Sequence, residues 1–151
     1  MHSIVRWYIR TSVVFLLVGV VLGIWMAVQK ELLGSYPNPQ LVTAHTHVIL
    51  VGFVMGMILG VAQWMFPRPP REGSWYSPDL AQIVYGIFTL STVVRTLGEI
   101  VSAGSESALW HWFVVVGGIG QGLAFVLFFY NIWPRIRPVG SHIREAKGEK
   151  F

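Results

Sequence analysis

The stretch that decides the fold is residues 43–67, TAHTHVILVGFVMGMILGVAQWMFP. It is apolar and long enough to cross the hydrocarbon core of a bilayer, which takes about 20 residues of helix. Two histidines, His45 and His47, lie near its beginning. Metal-binding or ionisable side chains inside a membrane segment are costly, and by default they mark a functional site. The stretch therefore predicts a membrane helix that carries such a site.

The composition of the whole chain is that of an integral membrane protein. Of its 151 residues, 54% are hydrophobic and only 12% are charged. Continuous apolar runs without period-two alternation favour helices over a barrel. We therefore predict an all-α integral membrane protein, a single membrane domain over residues 1–151 with a basic cytoplasmic tail at 134–151. The four predicted transmembrane helices are residues 8–28, 40–66, 78–101 and 107–133.

The distribution of lysine and arginine predicts the orientation. These residues are frequent in the amino-terminal segment, in the loop at 67–77 and in the tail, whereas the other two loops carry Lys30 alone. Cytoplasmic loops carry the excess of positive charge. Both termini are therefore expected in the cytoplasm, in a multi-pass protein of a prokaryotic cytoplasmic (inner) membrane. The chain has no cysteine, which excludes disulfides, thiolate metal sites, iron–sulfur clusters and covalently attached c-type haem.

Ionisable side chains from three spans are predicted to share one layer near the outer surface. This follows from counting about 1.5 Å per residue from the cytoplasmic end of each helix, against a core about 30 Å thick. No ionisable side chain is predicted in the inner half, so the layer is the candidate site. Its members are His45, His47, Arg95, Glu99 and His111.

The spacing of the two histidines predicts that they serve different sites. Residues i and i+2 of an α-helix lie about 200° apart, so the imidazoles leave from opposite faces. Glycines follow below His45, within about 60° of its direction, at Gly52, Gly56 and Gly60. Two interpretations stay open for them. They form a small-residue stripe for close helix packing, or a groove that accepts the face of a flat macrocycle.

Residues 43–67 resemble the tenth helix of the catalytic subunit of haem–copper oxidases and related nitric oxide reductases. That helix carries a His-x-His pair, then glycine and apolar residues, and ends in a Trp-x-Phe-Pro-like motif. Here the pair is AHTH at 44–47 and the closing motif is WMFP at 64–67. The resemblance covers about 25 residues of the 151. It implies that His45 and His47 bind the iron of haems on opposite sides of one helix, near the outer surface.

The resemblance implies a membrane b-type cytochrome containing haem b. Its role would be electron transfer, or binding of NO, CO or O₂, in a respiratory or denitrification chain. It is not expected to be a complete oxidase. Copper is not expected, because the family's three-histidine copper site and its tyrosine cannot be traced. Two alternatives stay open. One is a reduced catalytic relative with His111 near an open haem face, and the other is a non-haem structural or assembly subunit of a terminal oxidase or nitric oxide reductase.

Further residues have two interpretations each. Arg95 and Glu99, spaced i and i+4, either pair with each other or are divided between a haem propionate at Arg95 and an imidazole at Glu99. His111, between two tryptophans, is either an interfacial residue or an alternative metal ligand. In the haem interpretation Gly52 and Gly56 contact the macrocycle.

The family subunit looks like three quasi-equivalent four-helix arcs, so this chain is expected to form one arc and to assemble. A homotrimer would place each haem between His45 of one protomer and His47 of the next. A dimer that uses His111 is the alternative. The other expected partners are the lipid bilayer and a respiratory-chain redox partner, and no nucleic acid is expected.

Overall fold

The computed structural model describes residues 3–66 and 75–136, together with positions 140, 143, 147 and 148. Over these residues the chain is helical and contains no strand. The second span is made of α2, a π-helical segment and α3 in direct succession. The elements are α1 (Ser3–Glu31), α2 (Pro39–His47), the π segment (Val48–Met55), α3 (Gly56–Met65), α4 (Pro78–Ser102), α5 (Ala108–Ile132) and a 3₁₀ turn (Trp133–Arg135).

The prediction of an all-α protein with four membrane spans is confirmed. Within the described residues, four helices are long and apolar enough to cross a bilayer. The second, third and fourth spans begin and end within one residue of their predicted bounds. The first is longer than predicted, from Ser3 to Glu31, because apolarity marks only the part inside the hydrocarbon and the helix continues through Arg6. Lys30 and Glu31 lie in its last turn.

Polar caps fix where the second and third spans begin. The Asn38 side chain accepts a hydrogen bond from the backbone N–H of Gln40, and the Ser77 hydroxyl accepts one from Leu80. A proline follows each cap at the first helical position. Proline is suited to that position because its missing N–H would have no helical partner there.

The π segment was not anticipated from the sequence. It spans Val48–Met55 and begins directly after His47. A helical wheel drawn from sequence assumes the α-helical period, and hydrophobic periodicity does not reveal an i→i+5 hydrogen-bond pattern. π-helical turns inside α-helices occur frequently at functional sites.

Glycines allow α1 to pack closely along the second span. A Cβ added at Gly52 would lie 2.8 Å from Cγ of Phe15, and one added at Gly60 would lie 2.8 Å from Cβ of Tyr8. The position of a Cβ at Gly56 is taken by the Ser12 hydroxyl. Within one chain, the glycine stripe is therefore covered by α1.

The third span packs against the second, and the fourth packs against the third. α2 packs against α4, and α4 packs along the length of α5. The main core cluster lies towards the predicted inner end and joins all four spans. Its buried members are Tyr8, Leu59, Val84, Phe88, Ala124, Phe128 and Ile132.

Arg135 departs from its predicted place in the basic tail. Its side chain is buried, with Nη1 donating to Oε1 of Gln63 at 2.6 Å. Nη2 donates to the carbonyls of Gln63 and Phe66, at 2.8 and 2.6 Å. The last carbonyls of a helix lack intrahelical partners and attract cations, which explains why the arginine turns inward. The predicted positive charges at Arg68, Arg71, Arg137, Arg144 and Lys150 lie outside the described residues.

Candidate functional site

His47 lies between a basic and an acidic side chain of α4. Its Nδ1 is 2.8 Å from Oε1 of Glu99, and its Nε2 is 2.9 Å from Nη2 of Arg95. Because a guanidinium only donates hydrogen bonds, Nε2 is the acceptor and the ring proton is on Nδ1. Nδ1 therefore donates to the carboxylate. Both ring nitrogens of His47 are occupied within the chain.

Arg95 uses each of its three nitrogens for a different partner. Nε donates to Oε1 of Glu99 at 3.0 Å, and Nη1 donates to Oε1 of Gln121 on α5 at 2.9 Å. The Gln121 amide in turn donates to the Thr92 hydroxyl at 3.2 Å. The Arg95–Glu99 pair forms, and its carboxylate also accepts from an imidazole. The haem propionate at Arg95 stays a prediction. We refer to His47, Arg95, Glu99, Gln121 and Thr92 as the outer cluster.

Glu99 is the most deeply buried charged group of the outer cluster. Its side chain is 0% exposed, and both donors named above reach the same oxygen, Oε1. Oε2 is buried and has no hydrogen-bond partner among the described residues. A buried carboxylate is stable only where donors compensate its desolvation. The cluster therefore has one acceptor position left for water or for a ligand.

Part of the outer cluster is open. The side chains of His47 and Arg95 are each 23% exposed in the single chain. Polar side chains at membrane depth face a bundle interior or a water-filled cavity rather than lipid. A further molecule is therefore expected to cover this opening.

His45 leaves the second span towards α1, away from the outer cluster. Its Nδ1 is 2.9 Å from the backbone carbonyl oxygen of Gly19. A carbonyl only accepts, so Nδ1 carries the proton and Nε2 keeps its lone pair. Nε2 makes no hydrogen bond to any residue that the structure describes. The two imidazoles thus contact different helices, α1 and α4.

Both histidines fit a porphyrin iron better than a metal ion held by protein side chains alone. Within the described ranges, no three His, Cys, Asp or Glu side chains could hold a metal ion together. A porphyrin supplies four nitrogens of its own and needs only axial protein ligands. An imidazole that binds metal typically donates its other N–H to a carbonyl or carboxylate. His45 does so to Gly19, and His47 does so to Glu99.

The remaining predicted residues are not brought into this arrangement. His111 is exposed near the beginning of α5 and makes no hydrogen bond to the described part of the chain. Gly52 and Gly56 lie against α1, as described above. Contact between these glycines and a macrocycle stays a prediction, and the proposal below does not depend on it.

Four participants were missed from the sequence. Gln121 is an uncharged amide in the middle of a mostly apolar span, which is a signal that could have been used, and Thr92 is the hydroxyl to which it donates. Gly19 and Gly23 contact His45, yet in the sequence they are ordinary glycines of the first span. Their role depends on how α1 is aligned with the second span.

The fold and the site define a class of protein: an all-α membrane protein with imidazoles on two faces of one span. The family whose model matches the chain is Cytochrome C and Quinol oxidase polypeptide I, over residues 3–145. The match covers nearly the whole chain, which therefore belongs to this family. The predicted resemblance to haem–copper oxidase catalytic subunits is confirmed. Comparisons with curated proteins and with solved structures gave no match.

Proposed function

We propose that this protein is a b-type membrane cytochrome that binds haem through His45 and His47 near the predicted outer end. Members of its family bind haem, which supports the choice of cofactor. The observation that carries the proposal is the 2.9 Å contact between Nδ1 of His45 and the Gly19 carbonyl. It leaves Nε2 as the nitrogen with a lone pair, which is the form that binds iron. The iron would supply one-electron transfer when both imidazoles hold it, and a position for NO, CO or O₂ only when one of them does.

His45 and His47 differ in how ready they are to bind iron. Nε2 of His45 is not hydrogen-bonded, whereas Nε2 of His47 accepts from Arg95 at 2.9 Å. Binding through His47 requires Arg95 to release that nitrogen while Glu99 continues to hold Nδ1. The released guanidinium is then available for a carboxylate of the cofactor, since its planar fork matches such groups.

The opposite directions of the two histidines support a shared site between protomers. One chain cannot direct both imidazoles at the same iron, because one faces α1 and the other faces α4. In a homotrimer, His45 of one protomer and His47 of the next would together hold one haem. A dimer that uses the exposed His111 is the competing arrangement. Native mass spectrometry of the haem-loaded protein distinguishes the two by the number of chains in the haem-containing species.

Visible spectroscopy of three variants tests the proposal. His45→Ala, His47→Ala and His111→Ala are purified in mild detergent, and spectra are recorded oxidised and after dithionite. The first two are expected to lose haem or the sharp reduced α and β bands of six-coordinate iron. His111→Ala serves as the matched control and is expected to retain both. Full haem content in His45→Ala and His47→Ala would contradict the proposal.

The second candidate is a structural or assembly subunit of a terminal oxidase or nitric oxide reductase that binds no haem. The observation in its favour is that both nitrogens of His47 are already hydrogen-bonded inside the chain. It predicts that the purified chain has no Soret band. It also predicts that His47→Ala lowers the stability of the protein without a spectral change.

A further inference from the structure

We infer that Gly19 and Gly23 of α1 are positioning residues for His45. Gly19 fixes the tautomer of the imidazole, and Gly23 fixes the position of the ring. The inference rests on the proposed function only for its effect on haem binding. The geometry of the ring is a property of the chain alone and is measurable without haem.

The Gly19 carbonyl determines which nitrogen carries the proton. It lies within α1, where a helical carbonyl uses one lone pair for the N–H four residues later. A carbonyl oxygen has a second lone pair, and Nδ1 of His45 reaches it at 2.9 Å. A buried imidazole N–H without a partner is costly in an apolar environment, which favours this single tautomer. Nε2 is therefore left as the acceptor of the ring.

Close approach of the two helices brings the carbonyl within reach. A Cβ added at Gly19 would lie 3.2 Å from Cγ1 of Val48 and even nearer to the side chain of Ile49. Both residues belong to the turn that directly follows His47. A larger residue at 19 would separate α1 from the second span at the height of His45, and would lengthen the hydrogen bond.

Gly23 leaves room for the edge of the ring. A Cβ added there would lie 3.0 Å from Cε1 of His45, 3.5 Å from Nδ1 and 3.8 Å from Nε2. Cε1 is bonded to both ring nitrogens. A methyl group at position 23 that displaces Cε1 must therefore also move Nδ1, which donates to Gly19, and Nε2, which would bind iron.

The contact with His45 distinguishes Gly23 from Gly52 and Gly60, which lie in the same interface between α1 and the second span. The added Cβ atoms of Gly52 and Gly60 would meet Phe15 and Tyr8, and neither would meet an imidazole. Among the glycines that the structure describes, Gly23 alone is one whose added Cβ would have a histidine ring as its nearest neighbour within 4 Å. The missing side chain at Gly23 therefore leaves room for His45 and also allows close helix packing.

The first experiment measures the tautomer directly. The full chain without haem is labelled with ¹⁵N-histidine and studied by NMR, with the His45 signals assigned by their loss in His45→Gln. The expected result is a protonated Nδ1 and an unprotonated Nε2 in His45. A proton on Nε2 would overturn the inference. The tautomer is measured in the wild-type chain, and only the assignment of the signals uses a variant.

The second experiment compares Gly23→Ala with Gly122→Ala. A Cβ at Gly122 meets nothing within 4 Å, so this variant is the matched control. Loss of an outer partner of a metal-bound histidine typically costs about 10- to 100-fold in affinity. Gly23→Ala displaces the ring without removing its partner, so we expect haem release to apomyoglobin to rise by up to about tenfold. The electron paramagnetic resonance g-values of the iron are expected to change as well. Gly122→Ala is expected to match the wild type.

The results separate the failure of this inference from the failure of the proposed function. If the wild type binds no haem, the proposed function fails, while the NMR of His45 in Gly23→Ala still tests the positioning role. If haem binds and Gly23→Ala retains wild-type affinity and g-values, Gly23 has no positioning role. If Gly122→Ala releases haem as readily as Gly23→Ala, the effect belongs to any glycine-to-alanine change in a span and the inference is wrong.

Discussion

The protein holds Arg135 at one end of the bundle and Arg95 at the other, and the two have different partners. Arg135, at the predicted inner end, is 3% exposed and donates to the Gln63 side chain and to two helix-end carbonyls. It also lies over the Tyr76 ring, with Cζ 4.7 Å from the centroid. Arg95, at the predicted outer end, is 23% exposed and reaches a carboxylate, an imidazole and an amide.

The difference shows how the same residue type serves stability in one place and a site in the other. Backbone carbonyls at a helix end are fixed acceptors, so Arg135 holds the second span against the turn after α5. The partners of Arg95 are able to exchange, because an imidazole can bind iron and Oε2 of Glu99 has no partner among the described residues. Buried polar groups with unused capacity are the ones expected to meet a ligand.

The largest effect is expected from Arg135→Ala. The change leaves buried carbonyls and the Gln63 amide without a charged donor, and hydrogen bonds to charged groups contribute about 1.5–3 kcal/mol each. We expect a loss of about 3 kcal/mol or more in the free energy of unfolding, measured by denaturant titration in detergent micelles. Haem content per folded molecule should stay unchanged. If Arg135→Ala keeps its stability and loses haem, Arg135 and Arg95 do not differ in the way described.

A double-mutant cycle on Arg95→Gln and Glu99→Gln is expected to give the next largest effect. Each single change leaves a charge at membrane depth without its partner, and we expect a cost of about 2–3 kcal/mol for each. The double variant removes both charges, so its cost should fall short of the sum by about 1 kcal/mol or more. Additive costs would show that the pair is not coupled, and that Arg95 is held by its other contacts.

Gln121→Leu is expected to have a smaller effect, of about 1 kcal/mol. It removes a neutral amide that accepts from Arg95 and donates to Thr92, while Arg95 keeps its carboxylate. Asn131→Leu is the matched change at the other end, because the Asn131 amide makes two hydrogen bonds to the Ser77 backbone. Only Gln121→Leu should change the haem spectrum. A spectral change in Asn131→Leu without one in Gln121→Leu would show that the functional end of the bundle is not the outer end.

Much of the outer cluster could be predicted because it follows from periodicity and depth. The helical spacing separates His45 from His47, and counting residues places Arg95 and Glu99 at the height of the histidines. The four spans follow from continuous apolarity. These features depend on one helix at a time and on the thickness of a bilayer.

The features that were missed depend on how helices dock. Arg135 belongs to a basic segment in the sequence, and only the nearby end of the second span turns it inward. Gly19 and Gly23 become partners of His45 through the alignment of two helices. The π segment is set by backbone hydrogen bonds for which side-chain patterns give no signal.

The pyridine haemochrome assay of the purified full chain, with protein determined by amino-acid analysis, decides whether the chain holds haem through His45 and His47. A b-type spectrum with about one haem per chain is expected, reduced in His45→Ala and retained in His111→Ala. A purified, folded chain with no haem after reconstitution would contradict this expectation.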